Sequence, residues 1–371
     1  MGAHNINEAK TVVGRRRLLR CGLALIIGAL PVMPANLIAA GDAYFDEAKR
    51  ERRRLLVENW RRTLIATLKK TNLPIIDVEH HWGSGRGVPA FPVTDLLARM
   101  DRNGVALTWL GINESMGDQA SIAECAKAPD RLVPTVMHGD GPKWHARDST
   151  LLQELDTDAR SGEYFAMGEF EARHYVSNTN SRDIHTPVNS VGFEVIFRAS
   201  EETGLPFLLH HEAEDELLPE LEDMLRRFPK AKVVWCHVGR NRDPSRWKQF
   251  PTPEGVREFI SRYPNLYFDI LQSGNMSRFP PNTSFGGVFD AVMYYQESGP
   301  ARLRPEWLRL FNDFPERFVL GSDVNTGRWS NYDQVFDRFR NRILGVLSPA
   351  AAELIAYRNA WRLMTGDNWL T

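Results

Sequence analysis

The stretch IIDVEHHW, Ile75 to Trp82, decides how the rest of the chain is interpreted. It begins as an apolar β-strand and ends in a carboxylate and two imidazoles. Such groups are costly to bury unless a metal ion or hydrogen bonds offset the loss of water. Residues i and i+2 of a strand point to the same side, so Glu79 and His81 share one face and His80 points to the other. Asp77 lies on the face of Glu79, and we expect it to brace the fold by hydrogen bonds.

Seven further β-rich stretches follow, separated by segments of helical periodicity, several of which end in Gly or Pro. The strand candidates cover residues 73–80, 105–112, 131–138, 164–171, 206–211, 231–238, 265–271 and 317–323. They are nearly continuous apolar runs, which is typical of parallel strands buried on both faces. Eight such units predict a (β/α)8 TIM barrel. An open doubly wound sheet is the rival, but no GxGxxG follows any strand.

The segments outside the strands predict three parts of the chain. Residues 1–41 resemble a signal peptide of the twin-arginine type, because the basic cluster around Arg15 precedes an apolar run and small residues. An uncleaved anchor or a disordered basic tail is the alternative. Residues 42–72 predict an amphipathic helix, and residues 73–371 the barrel with a C-terminal helix. Export predicts a periplasmic or secreted protein that is not stably inserted in a membrane after cleavage.

Reactive groups of such barrels lie at the carboxyl ends of the strands. Polar side chains of this kind follow five of the predicted strands: Glu79 and His81, Glu169, His210, His237 and Asp323. Carboxylates and imidazoles that converge from strands one, five and eight predict a nitrogen and oxygen site for a divalent metal, Zn²⁺ or Mn²⁺. Glu169 is interpreted either as a ligand or as the ion-pair partner of an arginine such as Arg173.

Several of these stretches resemble the amidohydrolase superfamily, in its amidohydrolase-2 (decarboxylase-like) branch. IIDVEHH resembles the first strand of that family, GLPFLLHHEAE the fifth, FPKAKVVWCHVGR the sixth and RFVLGSDVN the eighth. LSPAAAELIAYRNAWRLMTG resembles its closing helix. The resemblance covers about residues 73–366.

The resemblance implies that Glu79, His81, His210 and Asp323 hold the metal. It also implies that Asp323 takes a proton from the activated water and that His237 is a catalytic group beside the metal. Glu169, in MGEFEARH, corresponds to a residue that bridges two metals in related hydrolases. Glu79 departs from the family pattern, since a histidine is usual at that position. The resulting Glu-x-His motif resembles aromatic-acid decarboxylases.

Three functions remain open. The first is a metal-dependent hydrolase in which activated water attacks an ester, a lactone or an amide. The second is a non-oxidative decarboxylase of an aromatic acid, and the third is a non-catalytic periplasmic binding barrel. The loops predict a small substrate, anionic or aromatic, that contacts Arg173, Arg240 and Trp329. In the alternative, these residues hold the loops together.

The bulk composition limits the partners of the protein. The 371 residues carry a net charge of −1, which argues against a nucleic-acid partner. The three cysteines cannot form a disulfide framework. A homo-oligomer is compatible with the sequence.

Overall fold

The part of the chain that the computed structural model describes comprises residues 45–71, 73–83, 91–112, 120–137, 149–176, 183–241, 243, 245–246, 248–271, 292–295 and 301–369. The predicted signal peptide at residues 1–41 lies outside these ranges, as do residues 42–44 and 72 of the predicted amphipathic helix. Among the helices that are described, none combines the length and the apolar character needed to cross a membrane.

Eight parallel strands form the central sheet. They are β1 Ile75–Trp82, β2 Val105–Ile112, β3 Leu132–Val136, β4 Ala166–His174, β5 Pro206–His211, β6 Lys232–Trp235, β7 Leu266–Ile270 and β8 Phe318–Leu320. Each strand pairs with the next one along the chain, and β8 pairs with β1, where Asp77 lies opposite Leu320. The sheet is therefore closed, and the predicted (β/α)8 TIM barrel is confirmed. Ile184–His185 adds a short antiparallel strand to β4.

The helices lie between and around these strands. They are α1 Glu47–Thr71, α2 Val93–Asn103, α3 Ala120–Cys125, α4 Ser149–Ala159, α5 Val191–Thr203, α6 Leu218–Arg227, α7 Pro253–Arg262, α8 Pro305–Asp313, α9 Tyr332–Arg338, α10 Pro349–Glu353 and α11 Asn359–Thr365. Local sequence sets their ends. Gly104 ends α2 in the left-handed conformation, and the Thr252 hydroxyl accepts the Gly255 N–H at 3.1 Å to begin α7. The predicted closing helix is interrupted by a π-helical turn, Leu354–Arg358.

Helix α1 packs one face against the barrel. Arg53, Trp60 and Leu64 are its buried residues. The Trp60 indole N–H donates to the carbonyl of Pro129 at 2.9 Å, and the Arg53 guanidinium donates to the carbonyl of Tyr164 at 2.6 Å. Burial of the indole anchors the helix, while these hydrogen bonds satisfy the indole N–H and one guanidinium nitrogen of Arg53.

Several strands end earlier than the sequence predicts, and two of these differences, in β6 and β8, affect the site. β6 ends at Trp235, because Cys236–Gly239 turn into a short 3-10 helix in which His237 and Val238 have φ values of 59° and 54°. β8 ends at Leu320, and Asp323 has a φ of 48°. A left-handed conformation is unfavourable for residues with a side chain. His237 and Asp323 therefore lie in tight turns at the rim of the barrel.

Candidate metal centre

Three carboxylates and an imidazole, carried by β1, by β4 and by the turn after β8, converge at the carboxyl rim of the barrel. Ligand atoms of Glu79, His81, Glu169 and Asp323 all lie within 4.8 Å of one another. His81 is at the centre of this group, since its Nε2 atom is 3.5 Å from Glu79 Oε1, 3.3 Å from Glu169 Oε2 and 3.4 Å from Asp323 Oδ1. Three of the four residues that the resemblance assigns to the metal are thus together, with Glu169 added.

Glu169 connects this group to the two remaining histidines. Its Oε1 atom is 2.6 Å from His210 Nδ1 and 3.3 Å from His237 Nε2, whereas its Oε2 atom faces His81. Glu169, His210 and His237 form a second group within the same 4.8 Å limit. His210 therefore reaches the first group through Glu169. The close contacts of this carboxylate are with histidines, whereas Arg173 pairs with Asp183 and Glu214, so the predicted ion pair with Arg173 is not observed among the described residues.

Asp269, at the end of β7, lies beneath these groups. It accepts the backbone N–H of His237 at 2.8 Å, and its Oδ1 atom is 3.6 Å from His237 Nδ1. His237 Nδ1 is also 3.7 Å from Glu79 Oε2. Glu79, His237 and Asp269 form a third group of ligand atoms. Asp269 thus holds the turn that carries His237 and adds a negative charge below Glu79.

Burial and crowding of like charges dominate the electrostatics of Glu79. Its side chain is buried, and burial together with the charges of Asp269, Glu169 and Asp323 raises the pKa of its carboxyl well above the usual range. A cation placed among these carboxylates would reverse the balance, because opposite charge favours the ionised form. The protein without a cation therefore holds Glu79 in an unfavourable environment.

His210 and Glu169 stabilise each other's charged form in the same region. Burial disfavours the charged forms of both groups, but their mutual attraction outweighs it. The pKa of His210 is raised to about 9, and the pKa of Glu169 is held well below its usual range by His210, with further contributions from His237 and His81. A proton on His210 Nδ1 is within hydrogen-bond distance of Glu169 Oε1, at 2.6 Å between the heavy atoms. A metal on His210 Nε2 would leave this contact in place, because a ligating imidazole commonly donates its other N–H to a carboxylate.

Arg328 holds Asp323 from the outer side. Both carboxylate oxygens of Asp323 accept hydrogen bonds from the guanidinium of Arg328, which lies on the short 3-10 helix Thr326–Asn331. Burial would raise the pKa of Asp323, but this guanidinium keeps it below its usual value. Arg328 also lies in the electrostatic field of Glu79 and Glu169. A cation of the protein itself therefore faces the carboxylate cluster.

The backbone after β8 brings Asp323 to the first strand. The N–H of Asp323 donates to the carbonyl of Glu79 at 2.9 Å. One residue earlier, Ser322 donates its backbone N–H and its hydroxyl to Asp77 at 2.8 and 2.7 Å. Asp77 is fully buried, which raises its pKa to about 7. The expected bracing role of Asp77 is confirmed.

Gly321 provides the space for the cluster. A Cβ atom at this position would lie 2.9 Å from Glu79 Oε2, closer than real Cβ contacts, and 3.0 Å from Asp269 Cγ, tighter than most of them. The Gly-Ser-Asp sequence therefore supplies room, a bracing hydroxyl and a carboxylate in three consecutive residues.

The residues present fit a divalent metal. Several of their buried polar atoms lack a hydrogen-bond partner among the described residues: both carboxylate oxygens of Glu79, Nε2 of His81, Nε2 of His210 and both ring nitrogens of His237. Buried polar atoms are rarely left without a partner. Carboxylate oxygens and imidazole nitrogens are the ligands that Zn²⁺ and Mn²⁺ accept. The orphaned atoms are thus of the type, and in the place, that an ion would satisfy.

The three residues predicted to bind the substrate have structural contacts. The Arg173 guanidinium donates to Glu214 and Asp183, each at 2.6 Å. Trp329 stacks on Phe91 with ring centroids 4.7 Å apart, and Arg240 is buried directly after the His237 turn. These contacts favour the alternative, that Arg173 and Trp329 hold loops together. Their roles as substrate contacts stay predictions.

Sequence reasoning missed three residues of the site. Asp269 follows the same pattern as the others, since it is a carboxylate at the end of a predicted strand, and this pattern could have identified it. Glu212 is buried with Oε1 3.6 Å from His210 Nε2 and also follows a strand. Arg328 carries no such signal, because its reach depends on the turn after Asp323.

A closed (β/α)8 barrel with a carboxylate and histidine cluster at its carboxyl rim defines the class of metal-dependent barrel enzymes. The model of the family described as "Amidohydrolase", the amidohydrolase-2 family, matches residues 76–364. The chain belongs to this family. No curated protein matches the chain.

Solved structures resemble the fold at low sequence identity. An uncharacterised TIM-barrel protein from Bordetella bronchiseptica is 14% identical, with a TM-score of 0.50 over 80% of this chain and 100% of that chain. A 2,6-dihydroxybenzoate decarboxylase from Rhizobium is 13% identical, with a TM-score of 0.48 over 80% and 100%. A putative 2-pyrone-4,6-dicarboxylic acid hydrolase from Pseudomonas putida is 14% identical, with a TM-score of 0.49 over 79% and 98%.

Proposed function

We propose that the protein is a metal-dependent hydrolase that cleaves an ester, lactone or amide of a small anionic or aromatic substrate. Membership of the amidohydrolase-2 family and the cluster of orphaned ligand atoms support a metal-dependent reaction. We further propose export to the periplasm or beyond, where water is the one cosubstrate that hydrolysis requires.

The metal would be held by Glu79, His81 and Asp323, with Glu169 and His210 completing or extending the site. When bound, the ion activates water and polarises the scissile carbonyl. Three carboxylates against one histidine in the first group make a hard donor set, which favours Mn²⁺ relative to a site rich in histidine or thiolate. Zn²⁺ remains compatible with the same ligands.

The residues of the chain supply the proton transfers and the orientation. Asp323 Oδ1, 3.4 Å from His81 Nε2, lies at the cluster and would accept a proton there. His237 is fixed by Asp269 through its backbone N–H, so its ring is directed at Glu79 and Glu169 and can donate to a substrate oxygen. Arg328 stabilises negative charge at the rim.

The position of Glu169 is the single observation that favours hydrolysis. Its two oxygens contact histidines on either side, so one carboxylate borders both groups of ligand atoms. A carboxylate in this position can orient water between the groups and hold its proton. Glu169 is not one of the four metal ligands that the resemblance implies, so that set alone gives it no role.

Decarboxylation of an aromatic acid is the second candidate. The Glu79-x-His81 motif favours it, because this motif resembles the decarboxylases of the family. In that reaction Glu169 would serve only to hold His210.

The test uses the full chain, purified and analysed for metal by elemental mass spectrometry. Hydrolysis of a panel of lactones and aryl esters is compared with release of CO₂ from hydroxybenzoates. We expect stoichiometric metal, hydrolysis that a chelator abolishes, and no CO₂ release. Release of CO₂ without hydrolysis would establish the second candidate. Absence of metal, together with a melting temperature that a chelator does not change, would favour the binding barrel.

Two variants assign the roles. Glu169→Gln should retain at least one equivalent of metal and lose hydrolysis by a factor of ~100 or more, in the range of a general acid or base. Asp323→Asn should lose both metal and activity. If Glu169→Gln hydrolyses the substrate as fast as the natural chain, Glu169 has no part in the reaction.

A further inference from the structure

The outward face of α1 carries two large apolar side chains, Leu55 and Ile65, within a stripe of charged residues. The buried residues Arg53, Trp60 and Leu64 define the face toward the barrel. With 3.6 residues per turn, the opposite face carries a single stripe. Its members are Glu51, Leu55, Glu58, Arg62, Ile65 and Lys69.

The spacing of this stripe is 4, 3, 4, 3 and 4 residues, which is the spacing of a coiled-coil seam. Its two apolar members are large and exposed, Leu55 at 47% and Ile65 at 39%. The four charged members are Glu58 and Arg62, which lie between them, and Glu51 and Lys69, which lie at the two ends of the stripe. Glu58 lies 3.3 Å from Arg62 and 3.4 Å from Arg54, so its carboxylate is held on the helix surface.

The stripe is complementary to itself when it is reversed. In an antiparallel pair centred on Trp60, Leu55 lies opposite Ile65 of a second copy. Glu58 then lies opposite Arg62, and Glu51 opposite Lys69. Antiparallel coiled coils place the two kinds of seam position against each other, and these pairings follow that rule. A parallel pair would instead place Glu58 against Glu58 and Arg62 against Arg62, which is unfavourable.

We propose that α1 is a homodimerisation surface that binds α1 of a second copy in an antiparallel, two-fold symmetric arrangement. A two-fold interface uses the same patch on both copies, so every favourable pairing occurs twice. Counted over both copies, two of the pairings are apolar (Leu55 with Ile65) and four are ionic (Glu58 with Arg62, and Glu51 with Lys69). Together they extend over ~27 Å of helix. Exposed ion pairs contribute little and are screened by salt. The dimer is therefore weak, forms at micromolar concentrations and dissociates at high salt.

Disulfide cross-linking tests the geometry in the full chain with Cys21→Ser. Residues 55 and 65 are ~15 Å apart within one helix, and a disulfide requires a Cα distance of about 4.4–6.8 Å. Leu55→Cys combined with Ile65→Cys should give a dimer linked by disulfides under mild oxidation. Each single variant alone should stay unlinked, but a mixture of the two should cross-link. Cys125 and Cys236 are buried and should not interfere.

Cross-linking of Leu55→Cys alone to the extent of the double variant would overturn the antiparallel register. The interface itself would be overturned if the double variant does not cross-link and the protein sediments as a monomer at concentrations up to ~100 μM.

A charge exchange provides the matched control. Glu58→Arg places guanidinium groups opposite each other and should weaken the dimer by about tenfold or more in sedimentation velocity. Glu58→Arg with Arg62→Glu restores the opposite charges and should restore dimerisation. Both residues are exposed, so the melting temperature should stay close to that of the natural chain. Failure of the double exchange to restore association would contradict the pairing.

Discussion

Replacement of Glu79 by glutamine should stabilise the metal-free protein and weaken metal binding at the same time. Both oxygens of this buried carboxylate lack hydrogen-bond partners among the described residues, and three other carboxylates surround it. Glutamine has nearly the same size and shape but no charge. The two effects have opposite signs because the negative charge is unfavourable without a cation and favourable with one.

The magnitude follows from the distances. Ligand atoms of Glu79, Glu169 and Asp323 lie within 4.8 Å of one another. Two ionised carboxylates at this distance repel by about 3.5 kcal/mol at an effective dielectric constant of about 20. Because protonation of Glu79 already relieves part of the repulsion, we expect a net gain of about 1–3 kcal/mol in the metal-free protein. Metal affinity should fall by more than ~100-fold, since loss of a residue that merely hydrogen-bonds a ligand costs about 10- to 100-fold.

Melting temperatures of metal-free and metal-loaded protein, with chelator competition for affinity, measure both effects. Asp77→Asn is the matched control, because Asp77 is a buried carboxylate two residues earlier on the same strand. Its hydrogen bonds to Ser322 predict a loss of about 1–3 kcal/mol in both forms, and a loss of metal affinity of at most about 10- to 100-fold, because Asp77 is not itself a ligand. Equal destabilisation of both forms by Glu79→Gln would refute the argument that Glu79 is kept for a cation.

Three further predictions concern the surroundings of the cluster. Arg328→Gln should raise metal affinity about tenfold in chelator competition, because the guanidinium competes with the ion for Asp323; weaker binding would contradict this. Gly321→Ala should destabilise the protein by about 1–3 kcal/mol and displace Glu79, so unchanged melting and metal content would exclude the close contact. The buried His211 has a pKa lowered to about 3, so the unfolded chain binds its proton below about pH 6.5 whereas the folded chain does not. The contribution of His211 to the free energy of unfolding should therefore fall by about 1.4 kcal/mol per pH unit as the pH is lowered from about 6.5 toward 3. His211→Phe should remove this pH dependence from the melting curves.

The strand ends were predictable because two simple constraints act there. Apolar runs identify parallel strands buried on both faces, and the closed barrel brings their carboxyl ends to one rim. This reasoning placed Glu79, His81, Glu169 and Asp323 together. It would also have found Asp269, because that residue obeys the same rule.

The remaining features depend on side-chain direction in turns. Within the first group His210 approaches Glu169 rather than Glu79, His81 or Asp323, and the backbone positions alone do not decide this. Arg328 reaches Asp323 through a 3-10 turn that has no hydrophobic period. Likewise, Arg173 pairs with Glu214 and Asp183, partners that only the folded loops bring within reach.

The hydrogen bonds between Asp77 and Ser322 join residues 245 positions apart in the chain. The first and last strands of the barrel, β1 and β8, must therefore both be synthesised before the rim can form. A nascent or truncated chain that stops short of residue 322 cannot acquire the site, however well its earlier strands associate.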